Sequence, residues 1–374
     1  MIKTVFACLL FFSFLNAPGD VLSQTKKDTL VVCLGKALPK SLDPAVSNTR
    51  QVLTLYHNWG DTLLYREPAS GKIVPGLARS YRILDNGDME LTLHKGVKFH
   101  NGEPFNGAAV KFSLDLLKKP DSRVAPYLKD IKDVVVLDDH RVRIELAKPI
   151  PTLSELLANV LFLYPPGYYR KVGKEAFGRH PVGTGPYRLV SNMGFREMDF
   201  EANPRYFPGP KGSAKIPKLK VRVIKETIVQ MEALISGEVD LIRSGCVNPE
   251  QVPFLKQADQ VKFLSTDILR VYFLVMDAKG RSGATPFMDK RVRQAVNYAI
   301  NRERIIDNAF NGFAVPLDSV VSPLHFGYEN RVTRYPYNPA KARQMLAKAG
   351  YPTGFDVDFY AINNESAAES IITD

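Results

Sequence analysis

The stretch SYRILDNGDMELTLHKGVKFHNGEPFNGAAVKFSLDLL, Ser80 to Leu117, decides the fold. Its first half predicts a hairpin. Asn86-Gly87 is a two-residue turn signal, and Met89, Leu91 and Leu93 alternate behind it. Its second half carries Gly102 and Gly107, separated by four residues, with His100 just ahead. That spacing opens a phosphate-cradling loop, but such a loop also needs Lys and then Ser or Thr to meet the phosphates and the magnesium. Ala108 and Ala109 stand in those places. A strand-to-helix joint accounts for the residues better. Asn106 caps a helix starting at Gly107, and Phe105 and Val110 staple its first turn. Val110, Leu114 and Leu117 make its buried stripe, and His100 is left as a polar loop residue.

Working outward, DVVVLDDHRVRIEL (Asp133–Leu146) predicts a second hairpin with its turn at Asp138-Asp139. TLVVCLG (Thr29–Gly35) predicts a buried strand. In TIVQMEALISGEVDLI, Thr227 caps a helix, Gly237 ends it, and VDLI is a short strand. DKRVRQAVNYAINRERIIDNAF predicts one amphipathic helix with Val292, Ala295, Val296, Ala299 and Ile300 on its apolar side. NPAKARQMLAKAG predicts another, capped by Asn338, started by Pro339 and stopped by Gly350. GFDVDFYA (354–361) predicts a strand. Hairpins mixed with helix-to-strand traffic place the chain in the α/β class.

The chain has 374 residues, which suits about two domains. Its net charge of +11 is spread along the sequence rather than gathered in a tail, which argues against a nucleic-acid partner. The best basic candidate, KLKVRVIK, puts Lys218, Lys220 and Arg222 on one face of a strand and Leu219, Val221 and Val223 on the other. A half-buried strand with a solvated basic face explains it.

Lys3 precedes the apolar run VFACLLFFSFL, which Asn16, Pro18 and Gly19 end. A charged start and a short apolar core predict a signal peptide over residues 1–23, cleaved after Ser23, and an exported, periplasmic protein. Cys33 and Cys246 alone remain beyond that segment; two cysteines make no disulfide framework, and separate buried thiols are expected. The six histidines show no metal-ligand spacing, so no metal or other cofactor is expected.

Catalytic patterns are thin. There is no GxSxG elbow. Asp138-Asp139 fits turn chemistry, and Glu226, Glu232 and Glu238 flank a helix as solvated charges. GTGPYR (Gly183–Arg188) shapes either a ligand loop or a tight crossover, and the crossover is the better reading.

Six segments in order resemble the extracytoplasmic solute-binding proteins of the peptide/nickel class (family 5), which serve ABC importers. They are SLDP (Ser41–Pro44) after the first strand, IVPGLARSYRILDNGDMELTLHKGVKFHNGEPFNGAAVKFSLDLL, VGTGPYRL with NPRYFPG, EALISGEVDLI, PFMDKRVRQAVNYAINRERII, and YNPAKARQMLAKAGYPTGF. Together they run from about the first strand to near the last residue. The chain departs from the pattern at Ala109, where an acidic residue usually completes a capping box. It departs again at Met276-Asp277, where an asparagine usually stands. Family chains also continue well past Asp374.

The resemblance implies a two-lobed periplasmic-binding-protein fold of type II, with lobe one at 24–54 plus 175–270. It implies a hairpin-rich insert at 55–174 and an incomplete second lobe at 271–374. It implies a monomer that closes over a solute and docks on a membrane permease, without enzymatic chemistry. A peptide is the leading solute; nickel chelates, opine-like compounds, oligosaccharides and a sensing role stay open, and an exported hydrolase ranks below them. By position in the family pattern, solute contacts fall at Asn48, Thr49 and Arg50, at Arg243, Ser244 and Gly245, and at Tyr272 on a strand crossing between the lobes.

Overall fold

The computed structural model describes residues 27–35, 39–243, 247, 249–281 and 283–360. The expected signal peptide, Ser244, Gly245 and Cys246 lie outside the described residues.

The chain opens with β1 (Thr29–Gly35) and α1 (Arg50–Trp59), then a small antiparallel pair, β2 (Leu64–Arg66) and β3 (Ile73–Pro75). Next come β4 (Ala78–Ile83), β5 (Met89–Leu93), α2 (Gly107–Leu117), the single turn α3 (Ala125–Leu128), β6 (Ile131–Asp138) and β7 (Arg141–Leu146). α4 (Leu153–Asn159) and α5 (Pro166–Arg179) follow, and α5 kinks at Gly173. The chain then forms β8 (Tyr187–Met193), β9 (Glu197–Ala202), β10 (Lys218–Val223), α6 (Thr227–Ile235), β11 (Leu241–Ile242) and the short α7 (Val252–Leu255). α8 (Lys290–Ala299), α9 (Arg302–Phe310) and α10 (Pro339–Lys348) complete the order.

Two sheets organise these elements. The first has the order β11-β1-β10-β9-β8, in which β1 runs parallel to β10 and β11 while β10, β9 and β8 are antiparallel. The second is the antiparallel sheet β4-β5-β7-β6. The first hairpin turn contains Asn86-Gly87, as the sequence puts it; the second falls one residue later than expected, at Asp139-His140, because Asp138 still belongs to β6 and pairs with Arg141. Gly87 takes a φ of 88°, which a side chain would resist, and Asp138 accepts from the His140 amide at 2.9 Å.

Asn106 caps α2 by accepting from the Ala109 amide at 3.1 Å, and Phe105, Val110, Leu114 and Leu117 are fully buried. α2 packs on β6, so the joint closes the second sheet from one side. One contiguous apolar core runs from Leu34 and Val221 in the first sheet through Trp59, Phe162 and Phe177 to Leu91 and Ile144 in the second. A separate small cluster sets Cys33 of β1 against Ala233 and Val239 around α6. The basic face of β10 is met by carboxylates: Lys220 bonds Glu197 at 2.7 Å and Asp199 at 3.2 Å, and Arg222 pairs with Glu238.

Several expectations are corrected. The expected single helix from Asp289 is two. Ile300 turns extended, and Asn301 caps α9 by accepting from the Arg304 amide at 3.0 Å. Of the five apolar positions expected on its buried side, only Val292 and Ala295 are fully buried. Thr227 is the first residue of α6 rather than its cap; Glu226 holds the cap position. The segments around Tyr272 and over 354–360 form no strand. Their apolar, β-branched composition favours a strand only where a neighbouring strand pairs with it. Among the described residues none does, and Leu264, Phe273 and Val275 stay exposed. His100 stays in a loop, as expected, but its polar groups are engaged. Its Nε2 meets the Gly185 carbonyl at 2.9 Å and its amide donates to the Gly183 carbonyl at 2.8 Å; burial holds its pKa down.

Candidate functional site

Three parallel strands end together. Gly35 of β1 faces Val223 of β10, and Cys33 of β1 faces Ile242 of β11. The carboxyl edge of parallel strands is where open α/β sheets leave a crevice, because connections depart to opposite faces there. Arg243 leaves β11 at this edge. Its amide donates to the Cys33 carbonyl at 3.4 Å, and its Nη1 donates to the Leu34 carbonyl at 3.1 Å. The guanidinium therefore lies across the end of β1, with α6 starting just beyond β10.

The loop after β1 carries the other candidates. Asp43 organises it: its carbonyl accepts from the Val46 and Ser47 amides at 3.0 and 2.9 Å, and its Oδ1 accepts from the Ala45 amide at 2.8 Å. Asn48, Thr49 and Arg50 follow, all exposed, at the entry to α1. Thr49 is extended at the cap position, and its side chain makes no cap bond. Val52, Leu55, Tyr56 and Trp59 bury the other face of α1.

The far end of α1 is fastened by a buried cluster that sequence reasoning missed. Lys211 donates to the His57 and Gly60 carbonyls at 2.8 and 2.6 Å and pairs with Asp61 at 2.8 Å. Thr184 and Tyr206 donate to the same carboxylate at 2.9 and 3.1 Å. His57 is enclosed beside it; burial first, then the Lys211 charge, lower its pKa to about 4. The glycines of GTGPYR form the tight crossover that the sequence favours. A Cβ on Gly183 would stand 2.2 Å from the Trp59 carbonyl oxygen, and one on Gly185 2.5 Å from its carbonyl carbon.

Tyr272 stands apart from the strand edge in sequence and in type of contact. It packs edge-on against Phe310 at 5.0 Å, with Arg270 over its ring at 4.5 Å. Arg243, Arg50, Asn48 and Thr49 are cationic or neutral hydrogen-bond donors, a set suited to carboxylate and carbonyl groups.

The sequence offers no nucleophile–base pair, yet one contact has that form: Ser322 Oγ lies 2.6 Å from His325 Nδ1. The same Nδ1 accepts the Ser322 amide at 3.2 Å, which makes the contact a local turn. Among the described residues no carboxylate bonds the other ring nitrogen, as the third member of a catalytic triad would. Among the described residues no three His, Cys, Asp or Glu side chains converge to hold a metal, and no helix is long and apolar enough to cross a membrane.

Comparison with known proteins bears on this geometry. The model of bacterial extracellular solute-binding proteins, family 5, middle part, matches residues 72–373. The glutathione-binding protein GsiB of Pectobacterium atrosepticum is 32% identical over 347 residues, 91% of this chain and 65% of that protein. This chain thus spans just under two thirds of that relative's length. Among solved structures, HbpA2 from Haemophilus parasuis superposes with a TM-score of 0.77 at 25% identity, over 92% of this chain and 72% of that one. The periplasmic binding protein DppA from Helicobacter pylori, in complex with the peptide STSA, gives 0.70 at 25% identity, over 87% and 67%.

Proposed function

The chain belongs to the bacterial extracellular solute-binding proteins of family 5, and on that premise we propose that it binds a peptide-like solute outside the cytoplasmic membrane and delivers it, as a monomer, to an ABC importer permease. The observation that carries this reading is the likeness to a glutathione-binding protein over 91% of the chain. The peptide-bound DppA structure supports the same solute class. The donor set is consistent with it: Arg50 and Arg243 offer cations for a solute carboxylate, Asn48 and Thr49 offer neutral donors, and Tyr272 offers an aromatic face. Ser244 and Gly245 follow Arg243 in the sequence.

Physically, such a protein needs no covalent step. A solute that contacts two lobes stabilises the closed arrangement by its differential affinity for it, and the permease reads that arrangement. We assign lobe one to 24–54 plus 175–270, the insert to 55–174, and the start of lobe two to 271. The first sheet draws β1 from one side of the insert and β8 to β11 from the other, in keeping with that division.

Thermal unfolding against glutathione, dipeptides, tripeptides, a nickel–histidine chelate, an opine and an oligosaccharide tests the reading. A peptide-class solute is expected to raise the melting temperature in proportion to log concentration. A shift with only a non-peptide solute overturns the solute class, and no shift with any overturns the binding role.

A further inference from the structure

Tyr164 Oη donates to Asp43 Oδ1 at 2.7 Å, across more than a hundred residues of sequence, and both residues are buried. Tyr169 Oη reaches Oδ2 of the same carboxylate at 3.4 Å. Around this pair the base of the loop is held at further points, by Gly178 just past the insert and by Arg123 within it. The Leu42 amide donates to the Gly178 carbonyl at 2.8 Å, and the Arg123 amide donates to the Ala45 carbonyl at 2.8 Å. Gly178 is packed so closely on Ser41 that a Cβ there would stand 2.2 Å from its hydroxyl. Asp43 in turn holds the amides of Ala45, Val46 and Ser47, which lead directly into Asn48–Arg50.

We propose that Asp43 is a positioning residue. Through Tyr164 it transmits the fixed geometry of the insert to the solute-contacting loop, so that Asn48, Thr49 and Arg50 are ordered before solute arrives. A loop tied down in advance spares the solute the entropy of ordering it. Tyr164 is itself well anchored. Its amide donates to Ser113 Oγ at 2.9 Å, that hydroxyl donates to the Ala109 carbonyl in α2 at 2.7 Å, and its ring packs on Tyr169 and Phe177. The inference rests on the peptide-binding reading for its affinity arm and on the structure alone for its loop-order arm.

The test compares Tyr164→Phe with Val142→Ala, a core change in β7 away from the loop, by amide hydrogen exchange without solute and by affinity for glutathione and tripeptides. Tyr164→Phe keeps the ring and removes one hydroxyl. It is expected to speed exchange over 45–50, whereas Val142→Ala lowers the melting temperature without doing so. If the ordered loop falls to about a tenth of the population, the apparent Kd rises about tenfold. Exchange over 45–50 no faster in Tyr164→Phe than in Val142→Ala overturns the proposal, as does an unchanged Kd. Faster exchange in a protein that binds no peptide upholds the loop anchoring and overturns the solute reading instead.

Discussion

Lys211 Nζ lies 2.8 Å from Asp61 Oδ1, and both side chains are almost completely buried. The pair sits where α1 ends, and it joins the loop after β9 to the helix that begins at Arg50.

Replacing Lys211 with Met leaves the Asp61 carboxylate enclosed with, among the described residues, the Thr184 and Tyr206 hydroxyls as its donors. Breaking one side of a buried ion pair costs about 3–5 kcal/mol. Urea unfolding of Lys211→Met is expected to show a loss of that order. Adding Asp61→Asn is expected to recover part of it, because the uncompensated charge is then gone. Equal stability of Lys211→Met and the unchanged protein would refute this account.

His57 gives a pH dependence. Its pKa is lowered from the ordinary 6.5 to about 4, by burial first and by Lys211 second. The unfolded chain therefore binds the proton more readily than the folded one. Stability is full above about pH 6.5 and declines as pH falls towards 4, by up to about 3 kcal/mol. Urea midpoints at pH 7.5 and 4.5 are expected to differ less in His57→Gln than in the unchanged protein. Parallel curves for the two would remove His57 as the cause.

Gly185→Ala tests the crossover. Its Cβ would press on the Trp59 backbone at 2.5 Å, and backbone cannot rotate away as a side chain can. The Gly185 amide also donates to the Trp59 carbonyl at 3.0 Å, so any shift breaks that bond. A loss of about 3 kcal/mol is expected in thermal or urea unfolding. A neutral result would mean that the two segments separate at little cost.

Much of this molecule is legible from the sequence because much of it is local. The turn at Asn86-Gly87, the caps at Asn106 and Asn338, and the alternation through Met89, Leu91 and Leu93 each lie within a few residues. Local geometry determines them. Asp43 and Tyr164, or Asp61 and Lys211, meet only after long separation, and no spacing announces such a pair. The same limit explains the segment around Tyr272. Its composition suits a strand, but pairing, which composition does not contain, decides whether one forms. Of the candidate site, Arg243 and the entry to α1 are found at a strand edge and a helix start. The carboxylate that anchors the second of these lies inside the quoted SLDP, where sequence gives it no partner.

The central sheet pairs Thr29 with Lys218 and Val32 with Leu241. Roughly 190 residues of chain therefore emerge after β1 before its first partner exists. On the proposed export route the chain threads out end first, and that length sets the interval between the arrival of β1 and that of β10. During it β1 is an apolar strand with two open edges, exposed to any other chain that offers a pairing edge. The antiparallel sheet of β4 to β7 carries no such delay, since its strands follow one another closely. The hairpin-rich part can therefore pair all its strands before the strand edge that carries Arg243 is complete.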